Sequence, residues 1–189
     1  MQISAAKEFQ SSDVQRAGNN RYDRHAFSKE SLQGGSVTAG QNLSIKAIGP
    51  DGNISLKGAD LLAEKGLLSL AAKKDIEINS IDVTQTDTRE TFRESRGWFS
   101  SSTTTTFDTS RTTQAIGSSL SGNSMKVQAG NDIKVNGSSI VGEQDVALLA
   151  GRDISLLASS NTSQQTHLRE EKKSGIFSDG LSISIGPRR

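Results

Sequence analysis

Two stretches of the chain carry the same text 21 residues apart. Ala129-Gly130 is followed by Asp132-Ile133, and Ala150-Gly151 by Asp153-Ile154. Around them runs a shorter unit: Asp or Asn, then apolar, any, apolar. It reads NLSI (42–45), NISL (53–56), DIEI (75–78), DIKV (132–135), DVAL (145–148) and DISL (153–156), with LLSL (67–70) as a looser copy. Apolar residues at i and i+2 have the strand period, which sends alternate side chains to one face. Gly, Asn, Asp and Ser collect between the units, where the chain has to turn.

The first apolar positions are spaced 13 residues (133 to 146), 8 (146 to 154) and again 8 (68 to 76), and 54 to 76 is 22. One cycle is therefore 21–22 residues, with two clear strands and a weaker third in SSIV (138–141). At ~3.3 Å per residue such a cycle traces roughly 70 Å, the path of one coil of a parallel β-helix. A single coil cannot bury its own apolar face, whereas stacked coils can. An antiparallel sandwich also alternates, but it does not account for equal offsets. Leu43 to Ile54 is 11 and breaks the spacing, with Pro50-Asp51-Gly52 forming a turn.

Composition suits a thin, elongated core. Hydrophobic residues make up 32% of the 189, aromatics 4%, and there are 18 Gly. Small aliphatics at regular intervals serve such a core, while a compact one of ordinary size would be starved.

A longer repeat overlies the short one. Asp75-Ile76 recurs at Asp153-Ile154, and Gly97-Trp98-Phe99-Ser100 at Gly175-Ile176-Phe177-Ser178, both at an offset of 78. Phe9-Gln10-Ser11-Ser12 and Ala39-Gly40 each lie 90 before a similar stretch, at Phe99 and Ala129. Between the coil units, residues 84–119 lack an aliphatic pattern but are rich in Thr with Phe and Trp, which are strand formers. They read as a long β-hairpin arm that leaves the coil near Val83, rejoins near Leu120 and has its tip at SRGWFSS. Removing these 36 residues from 78 leaves two coils. Two coils rise by ~10 Å, the face-to-face distance of packed sheets, so neighbouring arms are expected to stack.

The organisation expected is all-β: a parallel β-helix with long hairpin arms protruding from the coils. Residues 1–31 are the return half of an upstream arm, 32–83 are coils, 84–119 an arm, 120–160 coils, and 161–189 a second, truncated arm. A chain that starts and stops mid-pattern reads as a fragment of a longer one. All eight aromatics lie in the arms, and the coil segments 32–83 and 120–160 hold none. Either they pack arm on arm or on the coil flank, or the tips at Trp98, Phe99, Ile176 and Phe177 form an exposed patch for a partner or a membrane surface.

Chemistry is sparse. Lys+Arg number 22 against 21 Asp+Glu, with no basic stripe, so no nucleic-acid partner is expected. Without cysteine there is neither a disulfide framework nor thiolate chemistry. No stretch reaches the ~20 apolar residues of a membrane helix, and MQISAAKEFQ lacks the apolar core of a signal peptide. His25 has Asp23 and Ser28 nearby in sequence, and His167 stands alone in QQTHLREEKK; both read as solvated. No metal-ligand spacing, EF-hand loop, calcium nonapeptide or P-loop occurs. The aspartates 132, 145 and 153 recur at strand starts, where turn hydrogen bonds explain them. Glu143 with Asp145, or Asp82 with Asp87 and Arg89, are the carboxylate groupings a carbohydrate-active β-helix would use. The expectation is no catalytic residues, no metal and no cofactor.

Units such as AGNDIKVNGSSIVGEQDVALLAGRDISLLASS, followed by a Thr-rich segment with a Gly-aromatic centre, resemble the haemagglutinin repeats of two-partner-secretion exoproteins. These are the filamentous haemagglutinin-like adhesins and the contact-dependent growth inhibition toxins. The resemblance covers residues 31–178 and, more weakly, the ends. It implies a right-handed β-helical filament, exported through an outer-membrane transporter and standing on the surface of a Gram-negative cell. It also implies contact with a target-cell receptor or membrane, and carries over no catalytic residue. The alternative is a carbohydrate-binding or carbohydrate-active β-helical protein. Open coil ends and unpaired strands also predict self-association.

Overall fold

The computed structural model describes residues 1–175 and 183–184. All of its regular structure is strand: β1 (Gln2–Ser4), β2 (Ala6–Gly18), β3 (Arg21–Gln33), β4 (Ser36–Ala39), β5 (Leu43–Ala47), β6 (Ile54–Lys57), β7 (Asp60–Ala72), β8 (Ile76–Asn79) and β9 (Ile81–Arg96). There follow β10 (Ser100–Ile116), β11 (Ser119–Ala129), β12 (Ile133–Asn136), β13 (Ser139–Gly142), β14 (Val146–Ala150), β15 (Ile154–Leu157), β16 (Thr162–Gly175) and β17 (Ile183–Ser184). Contacts divide the chain into two compact units. One comprises Met1–Glu8, Ser31–Val83 and Gln114–Asn161; the other comprises Phe9–Glu30, Thr84–Thr113 and the segment from Thr162.

The first unit is a β-helix-type stack of coils with three strand positions per coil. One ladder runs β1-β6-β8-β12-β15, parallel throughout. A second sheet holds the other two positions, because β7 and β11 run through both: β4 and β13 pair with their first halves, β5 and β14 with their second. The weak third strand of the sequence is thus β13, one residue later than SSIV.

The strand alternation sets what is inside. Ile54, Ile76 and Ile133 stack in one column, Leu56, Ile78 and Val135 in the next, and each is at most 6% exposed. Leu61 with Leu120, Leu68 with Met125, and Leu70 with Val127 line the other two sides. The one buried polar residue among those described, Ser118, is satisfied: its Oγ donates to Asn79 O and accepts from Ala59 N.

Register explains the break at 43–54. Leu43 pairs with Leu68, and Ile54 with Ile76, so the two belong to different sides of one coil. From Ala47 to Ile54 is 7 residues, against 4 for Ala72 to Ile76, Ala129 to Ile133 and Ala150 to Ile154. The turn at Gly49–Gly52, closed by Gly52 N–H to Gly49 O, is a three-residue insertion. Register also shows an alanine column, 47, 72, 129 and 150. Ala39 pairs with Ala63 at another side, so the 90-residue echo between Ala39-Gly40 and Ala129-Gly130 joins unlike positions. The echo between Phe9 and Phe99 also fails, since Phe9 lies within β2 and Phe99 in a turn. The 78-residue offset does hold, since β8 and β15 occupy the same ladder two coils apart.

Asp and Asn at strand starts build a second ladder. Asn53 Oδ1 accepts Asp75 N–H at 2.9 Å, Asp75 Oδ1 accepts Asp132 N–H at 3.2 Å, and Asp132 Oδ1 accepts Asp153 N–H at 3.4 Å. An acceptor at this position ties each turn to the next, and Asn serves as well as Asp. Asp75→Ala is therefore expected to cost ~0.5–1.5 kcal/mol, and Asp75→Asn far less. Urea unfolding midpoints of the two variants check this; equal losses would discard the ladder.

Glycine marks where one coil runs directly into the next. Gly58 and Gly137 both have φ +56°, a left-handed conformation that costs glycine little. Each is followed within two residues by the next coil strand, β7 or β13. At Ser80 the chain instead enters β9 and needs no such residue.

The second unit is a six-stranded sheet in the order β17-β16-β10-β9-β3-β2. Its seams β3–β9 and β10–β16 are antiparallel, Arg21 opposite Arg93 and Ser100 opposite Gly175. Two sequence expectations change here. Residues 1–31 are not a return half: β1 joins the parallel ladder, and β2 and β3 are sheet neighbours joined at Asn19-Asn20, with Asn20 at φ 81°. Successive strand pairs also join edge to edge by backbone hydrogen bonds rather than face to face. Two strands at ~4.8 Å take up the same ~10 Å as two coils, so the spacing alone did not discriminate.

Candidate functional site

The six-stranded sheet has no core. None of the described residues in β2, β3, β9, β10 or β16 is buried. Cross-strand pairs hold it alongside the backbone ladders. Tyr22 lies opposite Phe92, and Phe107 opposite Leu168. The threonines pair by hydroxyl: Thr84 with Thr113 and Thr88 with Thr109, both at 3.2 Å, and Thr91 with Thr106. A Thr run therefore serves here as strand former and cross-strand tie together. Arg24 forks onto Asp13, with Nη2 to Oδ2 at 2.7 Å, and this hydrogen bond holds the Asp13 carboxyl below the ordinary range.

At the end of β9 the chain turns through residues 97–99, with Gly97 N–H donating to Ser100 O at 2.7 Å. Trp98 is 93% exposed and Phe99 67%. Their rings stack on each other, centroids 6.0 Å apart and 10° from parallel. Two of the four sequence-selected residues, Trp98 and Phe99, thus stand together in solvent at the β9–β10 turn. Arg96 lies beside them, held by Glu94 Oε1 at 2.6 Å, which raises its guanidinium further above the ordinary value. Ile176 and Phe177 lie outside the described residues.

The sequence reading missed what the histidines do. His25 Nε2 lies 2.9 Å from Asp87 Oδ2, and His167 Nδ1 is hydrogen-bonded to Asp108. Arg89 is opposite His25, and the hydroxyl pairs set it opposite Asp108. The row His167, Asp108, Arg89, His25 thus crosses four strands on one face, with Asp87 3.5 Å from Arg89. Only cross-strand register shows this, since each partner comes from another part of the chain. The local grouping Asp23, His25, Ser28 is broken by the strand: Asp23 pairs with Arg93 at 2.7 Å, and Ser28, three positions on, takes the other face. Two shallow hollows flank the row, of 460 Å³ beside Arg16, Asp23 and His25 and of 380 Å³ beside Asp108 and His167.

Of the carboxylate groupings considered for sugar chemistry, Asp87 and Arg89 lie 3.5 Å apart. Glu143 and Asp145 are exposed in the turn before β14, whereas Asp87 is committed to His25 and Arg89. Among the described residues no group of three or more His, Asp or Glu is placed to hold a metal ion.

Parallel coils, interrupted in sequence every two coils by strands of one coreless sheet, define a repeat module. A family profile for the hemagglutinin repeat matches the chain twice, over residues 17–101 and 97–189. The chain belongs to the hemagglutinin-repeat family. The first match runs from the β2–β3 turn to the start of β10, and so takes in β3, two coils and β9. No curated protein and no solved structure matches the chain.

Proposed function

We propose that this chain is a display module of a secreted, surface-standing exoprotein of the two-partner-secretion type. It would serve contact-dependent growth inhibition or adhesion without catalysis. Its coils wind right-handed, and the strand pairs β2–β3 and β9–β10 are hairpin arms. The parent protein passes an outer-membrane transporter and stands on a Gram-negative cell, where the arm tips meet a receptor or membrane of the target cell. The observation that carries this reading is the stacked, solvent-facing Trp98–Phe99 pair on a sheet with no core. Exposed large aromatics are what a partner contact needs, and no ring contact beyond their own stacking uses them among the described residues.

The double variant Trp98→Ala/Phe99→Ala tests it. Neither ring covers a core, so circular dichroism and the melting temperature are expected to match the parent. Binding of the labelled fragment to target cells is expected to fall about tenfold or more, the loss of a hot-spot aromatic. Unchanged binding by a folded double variant removes the tip from the contact.

A further inference from the structure

We infer that the Trp98–Phe99 turn docks into an apolar pocket with an acidic rim, on a protein of the target-cell surface; this rests on the contact proposed above for the two rings. The charge of the six-stranded sheet is sorted along its strands. Residues 16–23, 91–106 and 169–175 form the end at which the rings stand, and hold seven Arg and Lys against four Asp and Glu. The remaining residues of β2, β3, β9, β10 and β16 hold five Arg and Lys against seven Asp and Glu. The border follows one level across the strands: Asp23 is opposite Thr91, Thr91 and Thr106 are joined by their hydroxyls, and Thr106 is opposite Arg169. The chain as a whole carries a net charge of only +1, so the sorting is not a by-product of composition.

All four carboxylates at this end are already taken by its own cations, as in Asp23 with Arg93 and Glu94 with Arg96. Arg16 and Arg21 are in no ion pair among the described residues. Arg21 also stands opposite Arg93, and like charges directly opposite each other destabilise a sheet. The fold gains nothing from that arrangement, whereas a partner that brings carboxylates does. A positive end draws in an acidic surface and orients it before contact. An acidic protein and an anionic lipid layer both fit this charge, and apolar area decides between them. Peripheral binding to lipid grows with the apolar area buried, and a lipid-binding cluster holds about four to eight free cations. Here two cations are unpaired and the apolar part is two rings, while the β2–β3 turn at the same end presents Asn19-Asn20. A protein pocket needs a single anchor, and Trp with a nearby Arg is the composition of interface hot spots. Arg96 is already fixed by Glu94, so little side-chain freedom remains to be lost on binding.

The test is the association rate of the labelled intact chain with target cells, timed by flow cytometry at ~50 and ~200 mM salt. The parent is expected to associate about tenfold faster at the lower salt. Arg16→Gln/Arg21→Glu removes the surplus of three charges from this end, at residues in no ion pair. It is expected to associate about tenfold more slowly than the parent at low salt, with a nearly flat salt response. Lys29→Gln/Arg111→Glu makes the same change of net charge in the other half, at exposed residues, and is expected to behave as the parent. Circular dichroism confirms that both variants stay folded. Cells stripped of surface protein by protease are expected to lose binding, and vesicles of phosphatidylethanolamine and phosphatidylglycerol to show none. A parent indifferent to salt, or equal slowing by both double variants, overturns the acidic rim. Binding retained by stripped cells or shown by the vesicles overturns the protein partner. In each of these cases the ring contact still stands if Trp98→Ala/Phe99→Ala loses binding. A ring variant that binds like the parent removes that contact, and this inference with it.

Discussion

Replacing Ile133 by Asp is expected to unfold the coil stack around it, while Lys134→Asp, one residue on, leaves stability nearly unchanged. Ile133 is fully buried between Ile76 of one coil and Ile154 of the next, in a cluster made only of Ile, Leu, Val, Met and Ala. No donor faces it that could pair a carboxylate, and Ser118, the one buried polar side chain among the described residues, is already committed. The new side chain must be buried charged, be buried protonated or push the coil open, each at several kcal/mol. Because a stacked coil contacts only its neighbours, the damage is expected to spread to β8 and β15 first. Lys134 is exposed between the two inward residues, so a charge there meets water. Urea denaturation with both variants checks the pair. An Ile133→Asp protein within ~0.5 kcal/mol of the parent, the range of ordinary surface changes, would mean the facing assignment is wrong.

That facing was legible in the sequence because the β8–β12–β15 side keeps a strict pattern, Asp followed by alternating aliphatics. The first side was harder to read. In β13 the inward residue Ile140 is followed by Val141, which points to solvent and is 55% exposed, so the alternation is blurred. The alanine column was hidden because the corners between its members differ in length and an arm separates 72 from 129. Strand content in the arms could be read from Thr and Phe, but pairing order could not. A single strand says nothing about which neighbour it takes. The turn at residues 97–99 was legible because a lone Trp-Phe pair beside Gly97 had no aliphatic pattern to join. The His25–Asp87 and His167–Asp108 pairs were not, since they follow from register across strands more than fifty residues apart.

Gly130→Ala is the second large effect, and it bears on why Ala-Gly recurs at all. A Cβ built on Gly130 would lie 2.0 Å from Lys73 O, and one on Gly151 would lie 2.0 Å from Gly130 O. Both obstacles are backbone carbonyls of the preceding coil, which cannot swing aside as a side-chain tip can. Neither glycine has a positive φ, so the constraint is the closeness of coil on coil rather than backbone conformation. Lys73 holds the same position one coil earlier, but it lies over the three-residue-longer Gly49–Gly52 turn, where Lys73 N–H reaches Ala47 O and Lys74 N–H reaches Gly52 O. The longer turn goes with a side chain, and the short turn with glycine. Gly130→Ala is expected to cost ~1–3 kcal/mol, the range for forcing a methyl into a packed site. Gly40→Ala is the control. Gly40 also follows an alanine, yet its Cβ would meet nothing nearer than Glu64 Oε2 at 4.0 Å. It is expected to be neutral or slightly stabilising, since alanine restricts the unfolded chain. Thermal melts of the two variants separate a steric rule from a sequence habit. If both behave like the parent, coil spacing does not require the glycine. If only Gly130→Ala loses stability, the 21-residue echo records the place where each turn lies directly on the backbone of the one before.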